Sequence, residues 1–191
     1  MIRRVSAWLG GAAFIGSSEL LAAMEVPATN TGSFTPADIA FLDEIAETIL
    51  PETKTPGAKA AQVGTFMAVM VTDCYRPPQQ ALFRDGMARI EAAMQRRAQV
   101  SFMQASPAQR LSLLNEFDQQ QKKPSTPARR SSKRAMAPQD HFFRMMKELT
   151  LFGYFTSEIG CTQAQRYVET PGHFAPNVPY VPGTPSWADH A

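Results

Sequence analysis

Asp43 and Glu47 stand four residues apart in a stretch of helical periodicity, which puts both carboxylates on one helix face. Paired carboxylates can perform acid–base chemistry, but a solvated helix face gives the same spacing and is the reading adopted. His141, His173 and His190 are too far apart to form a metal-ligand spacing. His141 directly precedes Phe142 and Phe143 and suits a helix cap or helix end. Cys74 and Cys161 leave two readings open. In an oxidising compartment they could form a disulfide whose long loop stabilises the fold by about 4–5 kcal/mol. Otherwise they are unpaired buried thiols. No G-x-G-x-x-G, C-x-x-C-H, H-E-x-x-H or G-x-S-x-G occurs. The chain therefore offers no catalytic, cofactor-binding or metal-binding residues to the commonest enzyme classes.

The elements that would position these residues follow from composition and pattern. The chain has 191 residues, 44% hydrophobic and 19% charged, enough to build one domain with a real core. Phe (12) and Met (10) outnumber Tyr (4) and Trp (2), which favours packed helices over a β-sandwich. A formal charge of +2 argues against a nucleic-acid binder defined by bulk charge. With only two Cys, a disulfide-rich scaffold and a thiolate-only zinc site are excluded.

Thr35, Pro36 and Asp38 form a helix start: a cap, a first-turn proline and an acid at the positive end of the dipole. Ile39, Leu42, Ile45, Ala46 and Ile49 follow at helical spacing, and Pro51 ends the run. A second helix is expected over Ala60 to Tyr75, a third from Pro77-Pro78, and a fourth from Ser106-Pro107. From Pro138 a strongly apolar helix runs through Phe142, Phe143, Met146, Leu149, Phe152 and Phe155, with Phe142, Phe143 and Phe152 assigned to the core.

Three segments differ in kind. Residues 1–28 open with Arg3 and Arg4, continue without charge from Val5 to Ser18, and end in small residues. That apolar stretch is shorter than the ~20 residues of a membrane-spanning helix and reads as a twin-arginine-type export signal. Residues 122–138 carry Lys122, Lys123, Arg129, Arg130, Lys133 and Arg134, three prolines and no acid, and read as a basic disordered loop. Residues 171–191 form an irregular arm in which prolines alternate with aromatic residues. The expected fold is thus mainly α: a helical domain over residues 34–170 and an extended C-terminal arm.

Two separated blocks resemble the gluconate 2-dehydrogenase subunit 3 family. One is Lys147-Glu148-Leu149-Thr150-Leu151-Phe152-Gly153-Tyr154-Phe155-Thr156-Ser157-Glu158-Ile159-Gly160. The other is Ala46-Glu47-Thr48-Ile49-Leu50-Pro51, followed by Thr55-Pro56-Gly57-Ala58-Lys59-Ala60-Ala61 and Val63-Gly64. Pro171-Gly172-His173-Phe174 matches more loosely, and the resemblance spans about Phe34 to Tyr180. It implies a non-catalytic small subunit that stabilises and escorts for export a large FAD-dependent dehydrogenase of the glucose-methanol-choline type. A multihaem cytochrome c subunit would accept the electrons. FAD and haem c would belong to those partners and no cofactor to this chain. The resemblance also implies a periplasmic location at the inner membrane, with membrane association only through partners.

Tyr154, Phe155, Glu158, Tyr167, Phe174, Tyr180 and Trp187 are the candidate partner-facing residues, mostly of the aromatic types that interfaces favour. Two other readings compete: a self-standing periplasmic helical enzyme without a recognisable motif, and a peripheral adaptor acting through the basic loop.

Overall fold

Thr35 begins the first helix as its sequence suggests. In the computed structural model its hydroxyl accepts the Asp38 N–H, while the Asp38 carboxylate accepts the Thr35 N–H at 2.9 Å. This reciprocal cap and Pro36 at the first helical position define α1, Pro36–Ile49. Four further α-helices follow: α2 Val63–Cys74, α3 Pro77–Ala98, α4 Pro107–Lys122 and α5 Phe142–Phe155. A short π-helical turn, Gly160–Ala164, comes after α5. The structure describes residues 30–122, 141–170, 172, 177, 179 and 181–188. All that follows belongs to one unit beginning at Thr31. The fold is mainly helical, and the only β-pairing among the described residues is an isolated bridge between Arg166 and Trp187.

Local chemistry accounts for most boundaries. Ser106 and Gln109 cap α4 reciprocally, at 2.8 and 3.3 Å. At the α2–α3 junction, the Gln80 side-chain amide donates to the carbonyls of Thr72 and Tyr75, which the end of α2 leaves without helical partners. His141 precedes α5, and its Nδ1 accepts the Phe143 N–H at 3.3 Å. The second helix starts three residues later than its periodicity suggests, because residues 58–62 turn tightly and Gln62 takes a left-handed conformation (φ 53°).

The apolar helix α5 lies at the centre and packs against α1, α2, α3, α4 and the π turn. The core it organises contains Leu42 and Ile45 of α1, Val63, Met67 and Val71 of α2, and Phe83, Ile90 and Met94 of α3. Phe102, Leu114 and Phe117 close it from the α3–α4 side. Close approach is built into two glycines. A Cβ on Gly64 would lie 2.5 Å from the Ile39 carbonyl oxygen, and one on Gly153 would lie 2.5 Å from the Phe66 ring.

The carboxylates assigned to a solvated face are instead structural anchors. Asp43 is half-buried and accepts the Gly64 N–H at 2.7 Å. Glu47 accepts the Glu52 N–H at 2.8 Å and the Lys59 N–H at 2.9 Å, one on each oxygen. Glu44, between them, pairs with Lys59 at 2.9 Å and with Arg110. Arg110 also donates to the carbonyls of Phe102 and Met103, tying α1 to the α3–α4 connection. Three acids of α1 therefore hold down the connection to α2 and the start of α4. Their partners lie far along the chain, beyond the reach of an i, i+4 pattern.

Candidate functional site: an aromatic face on the central helix

Two segments far apart in sequence meet in space. The Tyr154 hydroxyl donates to the Pro56 carbonyl at 2.7 Å. Gly153 of α5 brings the helix against Phe66 of α2, and Phe66 packs edge to face on Phe152 with ring centroids 5.6 Å apart. The connection carrying Pro56 is itself clamped by Glu47, so the end of α5 and residues 51–64 form one rigid platform.

On this platform α5 has more apolar side chains than its neighbours can cover. Met145, Met146, Leu149 and Tyr154 are buried, whereas Leu151, Phe152 and Phe155 are exposed, Phe152 to 53% and Phe155 to 39%. Leu151 and Phe155 stand one turn apart, with Phe152 between them in sequence and half-buried Phe66 beside it. Such a cluster on a rigid helix has the composition of an interface centre: aromatic rings with little rotamer entropy left to lose. The chemistry it offers is desolvation and shape.

The structure corrects several expectations for individual residues. Tyr154 is 4% exposed and belongs to the core, because its ring turns inward and its hydroxyl finds a backbone acceptor there. Phe152, assigned to the core, is on the surface because the α2 side of α5 is closed by Gly153 and Phe66 instead. Phe142 and Phe143 are buried as expected. Phe155, Glu158, Tyr167 and Trp187 are exposed. Phe174 and Tyr180 lie outside the described residues, as do Arg3, Arg4, His173, His190 and the basic loop beyond Lys122.

Periodicity alone does not place Leu151 and Phe152 on the surface, although a signal for them exists. A helix apolar on nearly every side needs neighbours on every side, and a small domain seldom supplies them.

The arm does not simply extend. The Arg166 N–H donates to the Ser186 carbonyl and the Ala188 N–H to the Arg166 carbonyl, both at 2.8 Å. The Arg166 guanidinium covers the Trp187 ring at 4.3 Å. The chain is thereby fastened back on itself, with Trp187 presented outward.

In the structure both cysteines are free thiols. Cys74 is exposed at the end of α2, its sulfur 3.9 Å from the Met70 sulfur. Cys161 is buried in the π turn and donates to the Phe155 carbonyl at 3.3 Å. Among the described residues no group of three His, Cys, Asp or Glu side chains could hold a metal ion. No helix among them is long and apolar enough to cross a membrane.

The class of protein defined by this geometry is a small all-α domain with an uncovered aromatic face. Residues 36–172 match the family described as Gluconate 2-dehydrogenase subunit 3, and the chain belongs to that family. No curated protein and no solved structure matches it.

Proposed function

We propose that the chain is a non-catalytic small subunit that stabilises a large FAD-dependent dehydrogenase of the glucose-methanol-choline type and escorts it for export. The observation that carries this reading is the exposed Leu151–Phe152–Phe155 cluster, set on a platform formed by the two blocks that resemble the family. An apolar face held by a rigid core is suited to permanent association, since little ordering entropy is lost on docking. FAD, and haem c in a multihaem cytochrome c subunit, would belong to the partners. Glu158, Tyr167 and Trp187 would extend the contact beyond Phe155, and Phe174 and Tyr180 with them. Arg3 and Arg4 would direct the assembled pair through the twin-arginine route to the periplasmic side of the inner membrane. A flavoprotein folded around its cofactor in the cytoplasm needs such a route, and a bound partner carrying the signal supplies it.

Affinity purification of the tagged chain, from cells separated into cytoplasm and periplasm, tests the proposal. A flavin-containing partner should accompany the tagged chain from the periplasm. With Arg3→Lys and Arg4→Lys together, both subunits should stay in the cytoplasm, flavin still bound. Dehydrogenase turnover by this chain purified free of any companion would overturn the reading.

A further inference from the structure

A cleft of about 400 Å³ opens between α3 and α4 where the chain enters α5. Its apolar surface includes Phe117 and Phe142, which meet edge to face at 5.2 Å. Arg89, Ala93 and Arg96 line it from a single stripe of α3. The two arginines are about 10 Å apart along the helix axis, within reach of a common point for such long side chains. Small Ala93 leaves the space between them open. The Arg89 guanidinium lies 5.9 Å from the Phe142 ring centre and pairs with Asp85 at 2.7 Å. Arg96 has no ion-pair partner among the described residues.

The third polar group is His141. Its Nδ1 accepts the Phe143 N–H, so the ring proton resides on Nε2 and remains available to donate. Among the described residues one carboxylate lines the cleft, Glu116, which is already engaged by Arg97, and Gln120 adds a neutral amide. Positive charge and N–H donors therefore line a partly apolar hollow, and among its described lining residues the one acid, Glu116, is paired with Arg97.

We propose that this cleft binds a phosphate-type oxyanion, with Arg89 and Arg96 as its cationic partners and His141 as a neutral donor. Guanidinium groups suit oxyanions because their N–H groups form charge-assisted hydrogen bonds in fixed directions. Burial and the nearby Arg89 hold the His141 imidazole below its ordinary pKa. A bound dianion opposes that push, so occupancy moves the pKa upward. The site is independent of the docking face and stands whether or not a flavoprotein binds there.

The test is titration of the full-length protein with inorganic phosphate at constant ionic strength, near the ordinary histidine value of about pH 6.5. NMR follows the His141 imidazole, assigned by its loss in His141→Gln. The expected result is a saturable shift toward the protonated form, weakened about tenfold or more in Arg96→Gln with unchanged thermal stability. A shift that never saturates, or an identical titration in Arg96→Gln, overturns the proposal. Co-sedimentation with phosphatidylglycerol vesicles distinguishes the source. Vesicle binding that phosphate competes away and Arg96→Gln abolishes assigns the oxyanion to a lipid headgroup. Saturable phosphate binding without it assigns the site to a free phosphate.

Discussion

His141 performs a structural task that depends on its protonation state. As a neutral imidazole it accepts the Phe143 N–H and caps α5; as an imidazolium it has no lone pair to do so. Burial first, and then the Arg89 charge, lowers its pKa in the folded protein. Among the described residues the charges that share its cleft are Arg89 and Arg96 from α3 and Glu116 from α4. Because the folded value lies below the unfolded one of about 6.5, the unfolded chain takes up the proton first on acidification. The contribution is complete above about pH 6.5 and is lost as pH falls toward the folded value. Thermal melts of the wild type and His141→Asn, which caps without titrating, should diverge with pH. The wild type should lose more stability than the variant as pH falls from about 7.5 through about 6.5 and below. Parallel pH profiles would count against this role.

At the scale of elements, the helix starts were legible because their determinants are local. Thr35, Pro36 and Asp38, then Pro77, then Ser106 and Pro107, carry their structural meaning within four residues. The acids of α1 were not legible, since Asp43 finds Gly64, Glu47 finds Lys59, and Glu44 finds Arg110 only after the chain has folded back. The orientation of α5 was lost for a different reason. With Leu149, Leu151, Phe152, Tyr154 and Phe155 nearly encircling the helix, periodicity names no buried face. What decides it is one small residue, Gly153, that admits α2. Close approach has the same importance between α1 and α2. In Gly64→Ala the new methyl would meet backbone atoms, the Ile39 carbonyl oxygen at 2.5 Å and the Asp43 nitrogen at 2.7 Å. Neither can move aside as a flexible side chain would, and the Asp43 hydrogen bond would be disturbed as well. The expected cost is about 1–3 kcal/mol in denaturant unfolding. A midpoint equal to the wild type's would mean that α1 and α2 can separate freely.

For the whole molecule, the central question is whether the surplus apolar surface of α5 serves folding or association. Stability resides in the inward side of α5, where Met146, Leu149 and Tyr154 meet the other helices. Phe152 contributes comparatively little, because about half of it is already in water, and Phe155, 39% exposed and edge to face on Tyr154 at 5.2 Å, contributes somewhat more. The two roles are therefore separable by mutation. Phe152→Asp with Phe155→Asp should keep the helical circular dichroism and melt within a few degrees of the wild type. The same protein should no longer retain the flavoprotein partner proposed above, since two charges would have to be desolvated in the centre of the contact. The milder Phe152→Ala should weaken association by about 2 kcal/mol, roughly thirtyfold. Tyr154→Phe supplies the opposite control. It removes only the hydroxyl bonded to the Pro56 carbonyl, so it should cost about 1 kcal/mol of stability and leave partner retention unchanged. Were the double aspartate variant to keep the proposed flavin-bearing partner, the docking surface would lie elsewhere, with exposed Tyr167 and Trp187 of the folded-back arm as the next residues to change.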